Sequence, residues 1–180
     1  KVVTNQVCYS LLDQRAAHEM TAACLKHDIK LLAFGTLAGG FLTSRWLDEA
    51  EPANESLETW SQMKYKRFIN QAGGWAAFQK LLKTLHSISQ RMGVSIGNTA
   101  SRYMLESPAV GGVIIGARLG LSDHIKENVK LFQFELDEKA RQQIRNALQE
   151  MDPIAGDCGD EYRKPPFLTA SGDLSDHMEE

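Results

Sequence analysis

The sequence predicts an α/β protein built on a few parallel strands, each followed by a helix. Three observations lead there. Short β-branched or apolar runs alternate with segments whose apolar residues recur at the helical period. A strand, a helix and a second strand follow one another within about thirty residues, the length of a right-handed parallel βαβ unit. Glycines and capping residues punctuate the ends of these segments. Composition agrees: 43% hydrophobic and 24% charged residues in 180 exclude wholesale disorder.

The first strand is read over residues 2–7, where Val2, Val3 and Val7 are bounded by polar residues. A helix over residues 15–27 carries Ala16, Met20, Ala23 and Leu25 at helical spacing. Residues 29–34 form the second strand, stopped by Gly35. A longer polar stretch with Pro52, Asn54 and Ser56 leads into a helix over residues 57–70, broken by Gly73-Gly74. The helix over residues 75–92 is strongly amphipathic, with Phe78, Leu81, Leu82, Leu85 and Ile88 on one face and Gly93 at its C-terminal end. Ser95 caps the next helix, which runs to residue 106 and ends before Pro108. Residues 111–116 read as a third, fully buried strand between glycines. Ser122 caps a short helix to residue 132, and Asp137 caps another to residue 150.

Residues 1–150 make one domain, and residues 151–180 a tail of different composition. Eight acids stand there against Arg163 and Lys164, with Pro153, Pro165 and Pro166, and Pro165-Pro166-Phe167 suggests some docking. The net charge of -3, from 20 basic and 23 acidic residues, leaves no electrostatic footprint for nucleic acid or an anionic membrane. No apolar run approaches the roughly 20 residues that span a bilayer. The start of the chain has no signal-peptide pattern, so a cytoplasmic location is expected. Cys8, Cys24 and Cys158 are scattered thiols without metal-ligand spacing, and the five histidines do not cluster, so no metal site is expected.

Two constellations carry chemical information. In residues 116–128 a strand ends at Gly116, Arg118 follows in a short loop, and a helix begins. Helix N-termini hold anions through unpaired amides, and the guanidinium fork matches phosphate. An ordinary strand-to-helix turn with a surface arginine would show the same residues. In residues 34–42 an aromatic at a strand end precedes the glycine-rich run Gly35-Thr36-Leu37-Ala38-Gly39-Gly40, where backbone can approach a flat or phosphorylated ligand. A core phenylalanine followed by turn glycines is equally consistent. Both constellations sit at C-terminal strand ends, where βα barrels bind their ligands.

At these residues the chain resembles the aldo-keto reductase family, from about Val3 to Asn146. The anchors are Asn5-Gln6-Val7 with Tyr9-Ser10-Leu11-Leu12, the run from Phe34 to Gly40, and Gly116-Ala117-Arg118 with Glu127-Asn128. The resemblance implies the C-terminal portion of a (β/α)8 TIM barrel: about three parallel strands, the sixth to eighth, with surrounding helices in an incomplete barrel. It implies NADP as cofactor and a small carbonyl compound as substrate of the complete form. Gln6 would meet the nicotinamide carboxamide, and Phe34 replaces the usual Tyr that stacks on the nicotinamide. Gly35, Thr36, Leu37 and Gly39 would line the pyrophosphate loop, with Gly116 at the end of the last strand. Arg118 would meet the 2′-phosphate, His124 stands where an Arg or Gln is common, and Glu127 and Asn128 would contact the adenine edge. The family's catalytic Asp, Tyr, Lys and His belong to the first four strands and have no counterpart here. Tyr9, Tyr65, Tyr103 and Tyr162 fall in other elements, so the chain alone is expected to be inactive. Other readings stay open: a non-catalytic nucleotide-binding or regulatory module that self-associates through exposed barrel edges, or an incomplete gene-model fragment. The lack of Met at position 1 leans to the last.

Overall fold

Among the described residues three five-residue runs pair as strands: β1 (Thr4–Cys8), β2 (Lys30–Phe34) and β3 (Val110–Ile114). They form one parallel sheet in the order β1-β2-β3. This computed structural model describes residues 1–117, 120 and 124–162. Arg118, Ser122 and the Pro165-Pro166-Phe167 element lie outside the described residues. β1 begins two residues later than its composition suggests, because its partner sets its extent: Thr4 aligns with Lys30 and Cys8 with Phe34. β3 aligns Ile114 with Phe34, after a register shift opposite Leu31 and Leu32.

Among the described residues six α-helices accompany the sheet: α1 (Glu19–His27), α2 (Trp60–Gln71), α3 (Gly74–Met92), α4 (Ile96–Leu105), α5 (Ile125–Val129) and α6 (Glu138–Gln149). Their ends follow local chemistry. The Thr59, Ser95 and Asp137 side chains accept from the amides of Gln62, Asn98 and Ala140, satisfying donors that a helix start leaves open. Gly93 ends α3 in the left-handed region at φ 68°, where a Cβ would be strained.

Two expected helices, α1 and α2, start late: α2 begins at Trp60 behind its Thr59 cap rather than at residue 57. Residues 15–17 form a separate 3-10 turn ahead of α1, because Arg15 is bound back to Asp13 and the backbone turns again at His18. α5 starts at Ile125 and passes into a 3-10 turn over Lys130–Phe132.

Strand alternation divides the sheet into two faces. Val7, Leu31 and Ala33 are buried in the core that α3 and α4 complete with Phe78, Leu82, Leu85 and Met104. Gln6, Leu32 and Ile114 belong to the other face, where Gln6 and Ile114 are exposed. The expectation that β3 is fully buried is therefore wrong. It sits at the end of the strand order, covered on one face, and none of its five residues is fully buried. Later in the chain, Ile125, Val129 and Phe132 are also exposed. The segment between β2 and α3 adds an aromatic cluster. Phe41 lies 4.9 Å from Trp46 and 6.0 Å from Trp75, and Trp75 lies 5.0 Å from Phe78. Trp46 is thus packing, whereas Trp60 is exposed.

Two polar anchors hold these layers. Asp13 and Arg15 form a bidentate pair with bonds of 2.8 and 2.6 Å, their side chains only 1% and 4% exposed. Glu106 receives Arg102, Arg141 and the Leu136 amide, joining α4 to α6. Burial pushes the Glu106 carboxyl up, but the hydrogen bonds from Arg102, Leu136 and Arg141 and the Arg141 charge outweigh it and hold it below the ordinary carboxylate range.

Two outcomes follow from these anchors. Asp13→Ala strands a buried guanidinium and should cost about 3–5 kcal/mol in urea unfolding, whereas Asp13→Leu with Arg15→Met costs far less. The Glu106 contribution is complete above its unfolded value of about 4.3 and is lost as pH falls through its lower folded value. The stability difference between wild type and Glu106→Gln should therefore be constant at pH 6–7 and shrink towards pH 3, read from urea midpoints.

Candidate functional site

The C-terminal ends of the three strands bring Cys8, Phe34 and Ile114 into one row, with Gln6, Leu32 and Gly112 one step behind on the same face. Gln6 and Phe34, 28 positions apart in sequence, are thus adjacent rows on neighbouring strands. Gln6 is exposed and Phe34 half-buried, so an amide and an aromatic ring stand together at the open end of the sheet. The strand end is pinned by the Tyr9 amide, which donates to the Phe34 carbonyl at 3.2 Å.

The glycine-rich loop after β2 is shaped first by the protein. Gly35 has φ 79° and Gly39 φ 64°. A Cβ on Gly35 would fall into the Tyr65 hydroxyl, and one on Gly39 would lie 2.8 Å from the Ser61 carbonyl. α2 lies against this loop. Thr36 is buried, and the Ser101 hydroxyl donates to its Oγ1 at 3.3 Å, which tethers the loop to α4. Leu37 packs on α4 where Gly97 makes room: a Cβ there would meet Leu37 at 3.1 Å. Gly40 and Gly116, by contrast, border open space.

Tyr65 is a packing residue here. Burial pushes its phenol far above the ordinary tyrosine value, with the neighbouring Cys8, Tyr162 and Asp13 acting in the same direction. It stays protonated and enclosed, 5.6 Å from Phe68 in an edge-on pair.

The second constellation is partly held in place. Asn98 on α4 donates from Nδ2 to the Glu127 carbonyl at 3.0 Å and to its Oε1 at 3.1 Å, fixing that carboxylate beside α4. Lys130 adds a 3.5 Å ion pair to Glu127. Asn128 is half-buried and His124 is exposed. Gly116 is exposed, two residues past the end of β3, which stops at Ile114 rather than at residue 116 as expected.

Sequence reasoning missed three contributors: Tyr65, Asn98 and Lys64, whose ammonium lies 5.3 Å from the Phe34 ring centroid. For α2 a signal existed, since Ser61, Lys64, Tyr65 and Phe68 share one helical face at i, i+3, i+4 and i+7 spacing.

Comparison with known proteins decides the family. The model of the aldo/keto reductase family matches residues 1–149. This chain belongs to that family. Protein tas of Escherichia coli (strain K12) is 27% identical over 144 residues, covering 80% of this chain and 39% of that protein. Flagellar radial spoke protein 5 of Chlamydomonas reinhardtii is 30% identical over 104 residues, 57% of this chain and 20% of that one. Among solved structures, a glycerol dehydrogenase of Gluconobacter oxydans superposes with TM-score 0.65 at 18% identity, over 86% of this chain and 44% of that one. An aldo-keto reductase of Bacillus halodurans in its holo form gives TM-score 0.56 at 22% identity, over 82% and 43%. The chain thus spans about two-fifths of the first of these relatives. Its three parallel strands and helices match a portion of the family's barrel. The family's chemistry is of the oxidoreductase type and uses a nicotinamide cofactor. Among the described residues, no helix is long and apolar enough to cross a membrane.

The tight fit between loop and helix gives a direct test. Gly35→Ala should destabilise the fold by more than about 1 kcal/mol through its positive φ alone. Tyr65→Ala should recover part of that loss in the double variant, measured as non-additivity in urea unfolding.

Proposed function

We propose that this chain is the cofactor-binding portion of an NADP(H)-dependent aldo-keto reductase that reduces carbonyl compounds. The observation carrying this reading is the placing of exposed Gln6 and half-buried Phe34 on one face of the sheet, one row apart on neighbouring strands. The residues fit the group: a flat ring can be stacked on Phe34, and Gln6 offers both a donor and an acceptor to an amide. Gly116 borders open space where backbone can approach a phosphate closely. When bound, the nicotinamide supplies hydride to a carbonyl carbon.

The chain's own residues bind and orient. Phe34 presents its ring, and Gln6 sets which way a carboxamide faces. The backbone of Gly35, Thr36, Leu37 and Gly39 lines the loop, with Tyr65 setting its path. Glu127, held by Asn98, and Asn128 are assigned to the adenine edge, His124 to its flank and Arg118 to the 2′-phosphate. No residue is assigned as general acid, since the enclosed Tyr65 holds its proton. Residues 1–150 are assigned to this binding unit, and residues 151–180 are its tail.

Titrating the 180-residue chain with NADPH while following tryptophan fluorescence should show saturable quenching. Phe34→Ala should weaken binding roughly fivefold to tenfold, the worth of one aromatic stack. Reduction of a reactive aldehyde by the chain alone is expected to be undetectable. Absence of saturable binding by the cooperatively folded chain would overturn the cofactor reading.

A further inference from the structure

α2 carries one cation directly to the aromatic ring at the heart of the proposed site. Lys64 Nζ lies 5.3 Å from the ring centroid of Phe34, 5.6 Å from Tyr65, 6.0 Å from Phe68 and 5.0 Å from Tyr162. It donates to Tyr162 Oη at 3.0 Å. Among the described residues no carboxylate is paired with it. Its charge is held by four ring faces and one phenol oxygen, an arrangement that suits a cation. The cage has fixed walls. Tyr65 and Phe68 are buried in the core. Tyr162 comes from the tail, which the Arg15 guanidinium holds through the Asp157 carbonyl at 3.1 Å, and the Asp157 amide donates to Asp160 at 2.8 Å.

A ring stacked on Phe34 would lie about 4.5–7 Å from its centroid. It would therefore share this neighbourhood with the ammonium, within about one Debye length of 8–10 Å at ordinary salt. The two redox forms of a nicotinamide differ here in one respect: the oxidised ring is a pyridinium cation and the reduced ring is neutral. Repulsion from Lys64 falls on the oxidised ring alone, and the two cations also compete for the same Phe34 quadrupole. Attraction between Lys64 and the phosphates, in contrast, is common to both forms.

We propose that Lys64 is a specificity-determining residue of this site, which sets its preference for the reduced, uncharged nicotinamide over the oxidised one. This inference rests on the cofactor reading given above. The readout is the ratio of dissociation constants for NADP+ and NADPH, measured by direct titration of the 180-residue chain and two variants. In Lys64→Met the ratio should fall about threefold to tenfold, the size of one like-charge contact in a partly screened site. Lys64→Arg keeps the charge and should keep the ratio, and Lys64→Gln should reproduce the effect of Lys64→Met. The gap between wild type and Lys64→Met should narrow as salt rises. An unchanged or raised ratio in Lys64→Met and Lys64→Gln, with both nucleotides binding, overturns the inference and leaves the cofactor reading standing. No saturable binding of either nucleotide by any folded variant overturns both.

Discussion

The arrangement of the site depends on one buried ion pair just beyond β1. Two charges removed from water are tolerable only when every polar atom finds a partner. Here the Asp13 carboxylate accepts from Arg15 Nε and Nη2, and Ser10 Oγ accepts the amides of Leu12 and Asp13. Arg15 Nη1 donates to the Asp157 carbonyl, 142 positions away. The Phe68 ring lies 5.8 Å from the guanidinium carbon. A single pair thereby ties the loop after β1 to α2 and to the tail. Phe68 in turn fixes the turn of α2 that carries Lys64 and Tyr65 over Phe34 and the glycine loop.

The two faces of the sheet divide the work. One row of each strand is spent on the core with α3 and α4, and the other carries Gln6, Phe34 and Ile114 towards the strand ends, with Cys8 buried among them. This is how barrel folds separate stability from function: the scaffold is held from outside and below, while the loops at one end are available for a ligand. The glycines of residues 35–39 have no room for a Cβ because α2 presses against the loop.

Much of the fold was legible along the chain. The amphipathic face of α3, the caps at Ser95 and Asp137 and the stop at Gly93 are written in neighbouring residues, and the structure follows them. The errors arose where partners lie elsewhere. β1 took its limits from β2, and β3 read as buried because its glycines and β-branched residues look the same at an edge as in the middle. The start of α1 was displaced by the Asp13–Arg15 pair. Of the site, Gln6, Phe34 and the glycine loop were visible as a motif, but what presses on them was not.

Local sequence determined which segments are strands and helices, the caps at Ser95 and Asp137 and the stop at Gly93, and which family the chain joins, because propensity, periodicity and capping act within a few residues. Tertiary structure alone decided that Tyr65 fills the space beside Gly35, that Asn98 holds Glu127 from 29 positions away, and that Lys64 stands over Phe34. Those contacts join residues far apart in the chain, and no local pattern encodes them. They exist only once the parallel register of β1, β2 and β3 and the docking of α2 bring the strand ends together.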